Sequence, residues 1–221
     1  MLASRIFRMT SKIQYRISRK KSFRNHKFVE RINQDANEKM QVQFRFNPQK
    51  TIEAAALLLK LNDNKPMKYW GLLKMLYLAD RTALKKMDRP ITGDRYVSMN
   101  YGPVPSLVYD LIQGNQALPL WSKFISAPNK KKYVNLLNDP GNEELCEEEE
   151  EIIEQVYKTF GHLNPFGKWT YPLPEWKKTY GSAIPISVVE ILKNVGKSDQ
   201  EIAEIQKEAS WEAYLDGVLN G

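Results

Sequence analysis

The sequence has little of the chemistry on which most enzymes depend. Its 221 residues include one cysteine, Cys146, and two histidines, His26 and His162. A single cysteine excludes an intrachain disulfide, and no cysteine or histidine spacing fits a zinc site. Neither G-x-x-x-x-G-K-[ST] nor G-x-G-x-x-G occurs, so no phosphate-binding loop is predicted. The residues therefore indicate a folded module without cofactor, metal or catalytic apparatus.

Long hydrophobic runs are also missing. No apolar segment approaches the roughly 18 residues that a membrane-spanning helix needs. The N-terminus lacks the uninterrupted apolar segment of a secretory signal. Together with the single cysteine, these absences predict a cytoplasmic protein.

The net charge of +7 is distributed unevenly along the chain. Residues 1–40 contain eleven basic and three acidic residues, whereas residues 41–221 contain twenty-two and twenty-three. The first segment is interpreted as a basic extension, disordered or amphipathic, and the second as the folded domain. The amphipathic alternative rests on apolar residues that recur every three or four positions beside basic ones: Leu2, Ile6, Met9, Ile13 and Ile17. A start of synthesis at Met40 would remove the extension.

The central element is predicted to be a helix over about residues 66–87. Its first half is apolar on nearly every side, and it keeps helical spacing at Tyr69, Leu72, Leu73, Leu76, Ala79 and Ala83. A helix that is apolar all round is normally packed on several sides. We therefore expect it at the centre of the domain, ending before Pro90.

Start and stop signals predict further helices around it. They begin near Asn47–Pro48, Pro105, the glutamate-rich segment after Asn142, Pro185 and Ser198. The last helix spans about 199–218, and its predicted packed side is Ile202, Ile205, Ala209, Ala213 and Leu215. The glutamate-rich segment is interpreted as a solvated helix start, with an acidic docking patch as the alternative.

Three segments are predicted to form a small antiparallel sheet: 94–100, 122–127 and 132–137. The last two flank a hairpin turn with a basic tip, Lys130–Lys132. The predicted fold class is therefore mainly α, a helical domain of six or seven helices with a small inserted sheet.

Several short motifs follow one another in a distinctive order. They are Asp80–Arg81, Pro90–Ile91, Gly93–Asp94, Tyr101–Pro105 and Leu173–Lys178. With the segment Phe44–Leu59, their order over about residues 41–215 resembles the Panacea domain of SocA-like antitoxins and phage-associated proteins. The family commonly has a histidine before the last motif, where this chain has Tyr171, so no proton-transfer role follows for that position.

The resemblance implies a protein that binds a partner toxin and neutralises it, with presentation of the toxin to a protease as one route. The candidate partner-binding residues are Asp94, Arg95 and Tyr101 at the ends of the predicted strand, with Trp169 and Trp176 further on. Polar groups in a proline-locked loop are well placed for recognition. The alternative is that Asp94 caps a turn and the aromatic residues complete the core.

Two other function classes stay open at this point. A helix pair followed by a hairpin with a basic tip is how a winged-helix DNA-binding regulator begins, although the domain is nearly neutral and its central helix too apolar for a groove. An enzyme of unrecognised type would need carboxylates such as Asp80, Asp88, Asp94 and Asp110 to converge. Each of the first three stands beside an arginine in the sequence, which favours a structural pairing instead.

Overall fold

The computed structural model of the protein describes residues 42–219. Its elements are, in chain order, α1 Pro48–Leu61, β1 Met67–Lys68, α2 Tyr69–Met87, β2 Tyr96–Met99, β3 Gly102–Pro105, α3 Ser106–Gln113, α4 Pro119–Phe124, β4 Tyr133–Val134, α5 Glu147–Phe160, β5 Ile184–Ile186, α6 Val188–Asn194 and α7 Asp199–Leu219. This mainly helical domain with small antiparallel sheets confirms the predicted fold class. The helix predicted within residues 1–40 lies outside the described residues, and the boundary after residue 40 stays a prediction.

Helix α2 lies at the centre of the domain, as its sequence predicts. Every residue from Tyr69 to Asp80 is buried, and the helix contacts α1, α5, α6 and β3. It begins three residues later than predicted because Met67–Lys68 pairs with Tyr133–Val134 as a short strand. Asp88 then ends the helix in the left-handed conformation, with φ of 61°.

Helix α1 packs beside α2 and begins as predicted. The Asn47 side chain accepts a hydrogen bond from the Lys50 amide at 3.0 Å, and Pro48 occupies the first helical position. Ile52 and Leu59 are fully buried on its inner side. The N-cap and the apolar side together fix both the start and the orientation of this helix.

The glutamate-rich start of α5 is only partly the solvated segment that its composition predicts. Glu149 is buried and accepts a hydrogen bond from the Cys146 amide at 3.1 Å. Its carboxylate also lies 3.1 Å from Lys50 Nζ and 3.6 Å from the Arg89 guanidinium. One glutamate of the run therefore ties α5 to α1 and to the end of α2, while Glu147 and Glu148 are exposed.

The three-stranded sheet has the order β3-β2-β5, and its strand partners differ from the predicted ones. Strand β2 is shorter than the predicted 94–100 because Asp94 caps a helix instead. Its partners are the adjacent Gly102–Pro105 and the distant Ile184–Ile186, both antiparallel. Both partner strands contain prolines at positions predicted to open helices. They lie at the sheet edges, where a missing amide costs no ladder hydrogen bond.

The predicted strand 122–127 is wrong, because residues up to Phe124 belong to helix α4. Pro119 occupies its first turn, and Trp121 and Phe124, three residues apart, are both buried. The chain then returns antiparallel as predicted: Ile125 bridges Leu136, and the Ser126 amide donates to the Asn135 carbonyl at 3.0 Å. The regular ladder of this return strand is formed with β1.

Helix α7 is the longest of the described elements and begins with the predicted capping box. The Ser198 amide donates to Glu201 at 2.7 Å, and the Glu201 amide donates to Ser198 Oγ at 3.3 Å. Ile202, Ile205 and Ala209 are buried as predicted, whereas Ala213 and Leu215 are exposed, so the packed side ends one turn early. Within residues 42–219 no helix is both long and apolar enough to cross a membrane.

Candidate partner-binding site

The tip of the β2–β3 hairpin is the point where the candidate site is assembled. Met99 pairs with Gly102, which leaves Asn100 and Tyr101 in the turn. Gly102 has φ of 125°, and a Cβ at this position would lie 2.2 Å from Thr170 Oγ1. Only glycine therefore allows the hairpin to pass so close to the segment that covers it.

That segment, residues 163–180, is named here the aromatic loop. Two of its side chains donate hydrogen bonds to backbone carbonyls of the hairpin tip. Tyr171 donates its hydroxyl hydrogen to the Asn100 carbonyl at 2.6 Å, and Trp176 Nε1 donates to the Met99 carbonyl at 2.9 Å. The two rings stack on each other with centroids 4.0 Å apart. A long irregular loop is thereby held in one conformation against the hairpin.

A buried lysine of the central helix fixes the other end of the aromatic loop. Lys74 is fully buried, and its Nζ donates to the Gly167 carbonyl at 2.7 Å and lies 4.8 Å from the centre of the Trp169 ring. Burial lowers the pKa of Lys74 to about 8. No carboxylate among the described residues forms an ion pair with it, so a carbonyl and an aromatic face supply its stabilisation.

A buried carboxylate of the aromatic loop completes its attachment to α2. Glu175 is fully buried, and one oxygen accepts from the Tyr77 hydroxyl at 2.7 Å and from Arg81 Nε at 2.6 Å. Its other oxygen accepts from Asn194 Nδ2 at 3.2 Å. Burial and the Glu175 carboxylate raise the pKa of Tyr77 far above its ordinary value. Arg81 therefore pairs with Glu175 and not with its sequence neighbour Asp80.

Three partly exposed aromatic rings and one lysine lie on the outside of the hairpin tip and the aromatic loop. They are named here the aromatic belt and comprise Lys68, Tyr101, Tyr133 and Phe166. Tyr101 is 41% exposed, and its ring meets that of Phe166 edge-to-face at 5.3 Å. Lys68 Nζ lies 4.9 Å from the centre of the Phe166 ring and 5.4 Å from that of Tyr133. The aromatic belt therefore extends from the tip of the β2–β3 hairpin to strand β4, which contains Tyr133.

A groove of about 200 Å³ opens beside the aromatic belt. Its lining includes the apolar side chains of Met67, Met75, Phe160, Leu163, Pro165 and Trp169. Lys68 and Tyr133 of the belt form one side of it. Apolar walls with a few polar groups at the border are typical of binding sites.

The opposite end of the hairpin is occupied by a buried carboxylate network. Asp80 accepts hydrogen bonds from the amides of Ile91 and Thr92, both at 2.9 Å, and from the hydroxyls of Thr92 and Tyr96. Asp94 accepts from the amides of Leu107 and Val108 at 2.9 and 3.0 Å, which caps α3. Burial outweighs these bonds and raises the pKa of each carboxyl to about 6.

The five predicted partner-binding residues therefore fall into two groups. Tyr101 lies at the hairpin tip, and Trp169 and Trp176 lie in the aromatic loop, where Trp169 approaches Lys74 and Trp176 donates to the Met99 carbonyl. Asp94 and Arg95 lie at the other end of the hairpin, where Asp94 is 4% exposed and satisfied internally while Arg95 is exposed. The structure therefore places the three aromatic residues around the tip end of the hairpin, without a contact among them, and the two charged residues at its other end.

Lys68, Lys74, Phe166 and Glu175 are the contributors to this site that sequence reasoning missed. The signal for Lys74 was present, since it is the one charge in the apolar half of α2. Glu175 is 98 residues from Tyr77, and nothing in the local sequence relates the two. Phe166 and Lys68 come from distant segments of the chain, and only the fold brings them into contact.

A second, larger cavity of about 420 Å³ lies between the segment Phe44–Pro48, the residues Arg89–Gly93 and α7. Lys50 and Arg89 line it, but both approach the Glu149 carboxylate. Glu212 adds a further carboxylate to the lining. With Arg45 as a third cation the lining is mixed in charge, and among residues 42–219 no three metal-binding side chains converge on a possible ion.

The alternatives of DNA binding and catalysis receive no specific support from this arrangement. Lys130–Lys132 are exposed in a turn closed by the Lys132 amide and the Asn129 carbonyl, and the first half of the central helix α2, which would have to enter a groove, is buried. Asp80 and Asp94 each receive internal donors, and Asp110 accepts from Asn115 at 3.2 Å. The candidate carboxylates are thus each engaged within the domain: Asp80 and Asp94 in one buried network bridged by Thr92, Asp88 with Lys197, and Asp110 with Asn115.

Comparison with known proteins agrees with the resemblance read from the motifs. A model of the family described as antitoxin SocA-like, Panacea domain, matches residues 72–177. The match covers α2 from Leu72 onward, both strands of the β2–β3 hairpin and most of the aromatic loop. It is narrower than residues 41–215, over which the motifs predicted the resemblance. No curated protein and no solved structure matches the chain. Over residues 72–177 the chain is thus similar to the SocA-like Panacea domain family, whose description is that of an antitoxin.

Proposed function

We propose that this chain neutralises a partner toxin by binding it through the hairpin tip, the aromatic belt and the adjoining groove. The single observation that carries the proposal is the exposure of Tyr101 on a rigidly held turn. It is supported by the antitoxin description of the family matched over these residues. Tyrosine and tryptophan are enriched among the residues that dominate binding energy at protein interfaces.

The rigidity of the site supports recognition of a partner rather than a role in the core. Lys74, Tyr171 and Trp176 hold the aromatic loop against α2 and the hairpin, so the belt is ordered before any partner arrives. A preorganised surface loses less conformational entropy on binding. Tyr101 and Phe166 contact each other at the surface, where a partner would bury both rings.

The test is rescue of growth when the full chain is produced together with the product of the reading frame beside its gene. We expect that product to arrest growth alone and the chain to restore it. Tyr101→Ser and Phe166→Ser should abolish rescue while the circular dichroism spectrum and the melting temperature stay near those of the wild type. Leu137→Ser is the matched control, since Leu137 is 53% exposed and lies outside the belt.

Undiminished rescue by both belt variants would overturn the proposed binding surface. Absence of any rescue by the wild-type chain would overturn the toxin proposal itself. The route of neutralisation is read from the amount of toxin in the same cells. If the chain is a proteolytic adaptor, the toxin level should fall when the chain is present and recover when cellular proteases are removed. If it inhibits the toxin by binding alone, the toxin level should stay constant.

A further inference from the structure

The second half of α7 presents four large apolar side chains to solvent. Trp211, Tyr214 and Val218 are 59, 61 and 62% exposed, and Leu215 is 39% exposed. The four residues follow the spacing i, i+3, i+4 and i+7, which places them in one row along the helix. The rings of Trp211 and Tyr214 stack with centroids 5.6 Å apart. This row is named here the α7 stripe.

The α7 stripe lies on the side of the helix opposite to the domain. Ile202, Ile205 and Ala209 are buried, and a turn of 100° per residue places them roughly half a turn away from Trp211. The stripe is therefore not needed to attach α7 to the domain. Single exposed apolar residues are ordinary, but a contiguous row of four marks an interaction surface. The same spacing is that of helices that dock through their apolar face.

Charge near the stripe indicates the kind of partner that fits it. Glu204 and Glu208 precede Trp211 by seven and three residues, so they lie on the same side of the helix, and both are exposed. Among the described side chains of α7 there are five carboxylates and one lysine, Lys207. Two copies of this helix packed together would place acidic flanks against each other, which is unfavourable. A basic flank on the partner is the complement.

We propose that the α7 stripe binds a basic amphipathic helix of a partner protein. Apolar residues of that helix would cover Trp211, Tyr214, Leu215 and Val218, and its lysines or arginines would lie beside Glu204 and Glu208. The stripe lies outside the residues 72–177 matched by the family. This inference therefore does not depend on the proposed toxin binding at the hairpin tip.

The probe is a fluorescently labelled synthetic helical peptide with leucine at i, i+3, i+4 and i+7 and lysine at the outward positions. Its binding to the full chain is measured by fluorescence anisotropy, beside a peptide in which glutamate replaces every lysine. We expect saturable binding of the basic peptide, weakened by added salt, and at least about tenfold weaker binding of the acidic one. Equal binding of both peptides, or no binding of either, overturns the proposal.

Variants of the full chain locate the binding surface. Trp211→Ser and, separately, Val218→Ser should each weaken binding of the basic peptide by about tenfold or more, because both remove apolar contact area. Tyr180→Ser is the matched control, since Tyr180 is 88% exposed and lies outside α7. Circular dichroism confirms that each variant is folded.

Binding that survives both stripe variants overturns the inference. A wild-type dimer that Trp211→Ser converts to a monomer in sedimentation also overturns it, because the stripe would then be a contact between two copies. If growth rescue fails in the toxin experiment while the basic peptide still binds normally, the result bears only on the proposed toxin site at the hairpin tip. The two proposals can thus fail separately.

Discussion

The two ends of the β2–β3 hairpin differ in how their side chains are used. At one end Asp94 is buried and caps α3, and Asp80 holds the segment before it. At the other end Tyr101 is exposed on a turn held by Tyr171 and Trp176. Both ends belong to the segment matched by the family. The comparison teaches that the charged motifs Asp80 and Asp94 stabilise the fold, while the aromatic end carries the exposed side chain on which the proposed partner binding rests.

The largest expected effect concerns the helix on which both ends rest. Leu76 is fully buried at the centre of α2. Leu76→Ala should lower the free energy of unfolding by roughly 2–5 kcal/mol, because it removes buried apolar area and leaves a cavity. Urea unfolding followed by circular dichroism measures it, with the half-exposed Leu137→Ala as control. A loss below about 1 kcal/mol would contradict the central position of α2.

The next effect separates two neighbouring residues at the buried end. Asp94→Ala should cost about 1–3 kcal/mol of stability, because the amides of Arg95, Leu107 and Val108 lose their acceptor. Arg95→Ala should stay within about 0.5 kcal/mol, since its side chain is exposed. Equal losses in urea unfolding would contradict the assignment of Asp94 to the buried frame and of Arg95 to the surface.

The pattern of what the sequence predicted follows from the range of the interactions. Helical periodicity is local, so α2, the N-cap Asn47 and the capping box at Ser198 were all predicted correctly. Strand pairing is non-local, so the partnership of Tyr96–Met99 with Ile184–Ile186 was missed. The short apolar run ending at Phe124 is compatible with a strand or a helix. Only the burial of Trp121 and Phe124, three residues apart, shows that it is a helix.

The candidate site was predictable only in part for the same reason. Tyr101, Trp169 and Trp176 were identified from residue type and from proline-broken segments. The position of the aromatic loop depends on Lys74 and Glu175, whose hydrogen-bond partners are more than 90 residues away in sequence. Asp94 was named as a partner candidate beside the alternative that it caps a turn, because a polar residue in a turn gives no sign of whether a later helix will cover it.

A smaller effect is the pH dependence of the buried end. The pKa of Asp80 is raised from 3.8 to about 6, so the folded state holds this proton more tightly than the unfolded state does. The resulting stability is fully present below about pH 4 and is lost as pH rises through 6. The stability advantage of the wild type over Asp80→Asn should therefore shrink by roughly 1–3 kcal/mol between pH 4 and 7. Urea unfolding across this range measures it.

Leu137→Ala, which changes no titratable group, should follow the wild type in parallel over the same range. An advantage over Asp80→Asn that grows as pH rises would contradict the account. It would mean that the four donors around Asp80 stabilise the charge more than burial opposes it.

The most direct test of the difference between the two hairpin ends is amide hydrogen exchange of the full chain with and without the toxin identified by growth rescue. The account predicts that residues 99–102 and 163–170 exchange more slowly in the complex. The amides of Leu107 and Val108, which already donate to Asp94, should be unchanged. Protection that falls instead on residues 94–96 and 104–108, with residues 99–102 and the aromatic loop unaffected, would contradict it.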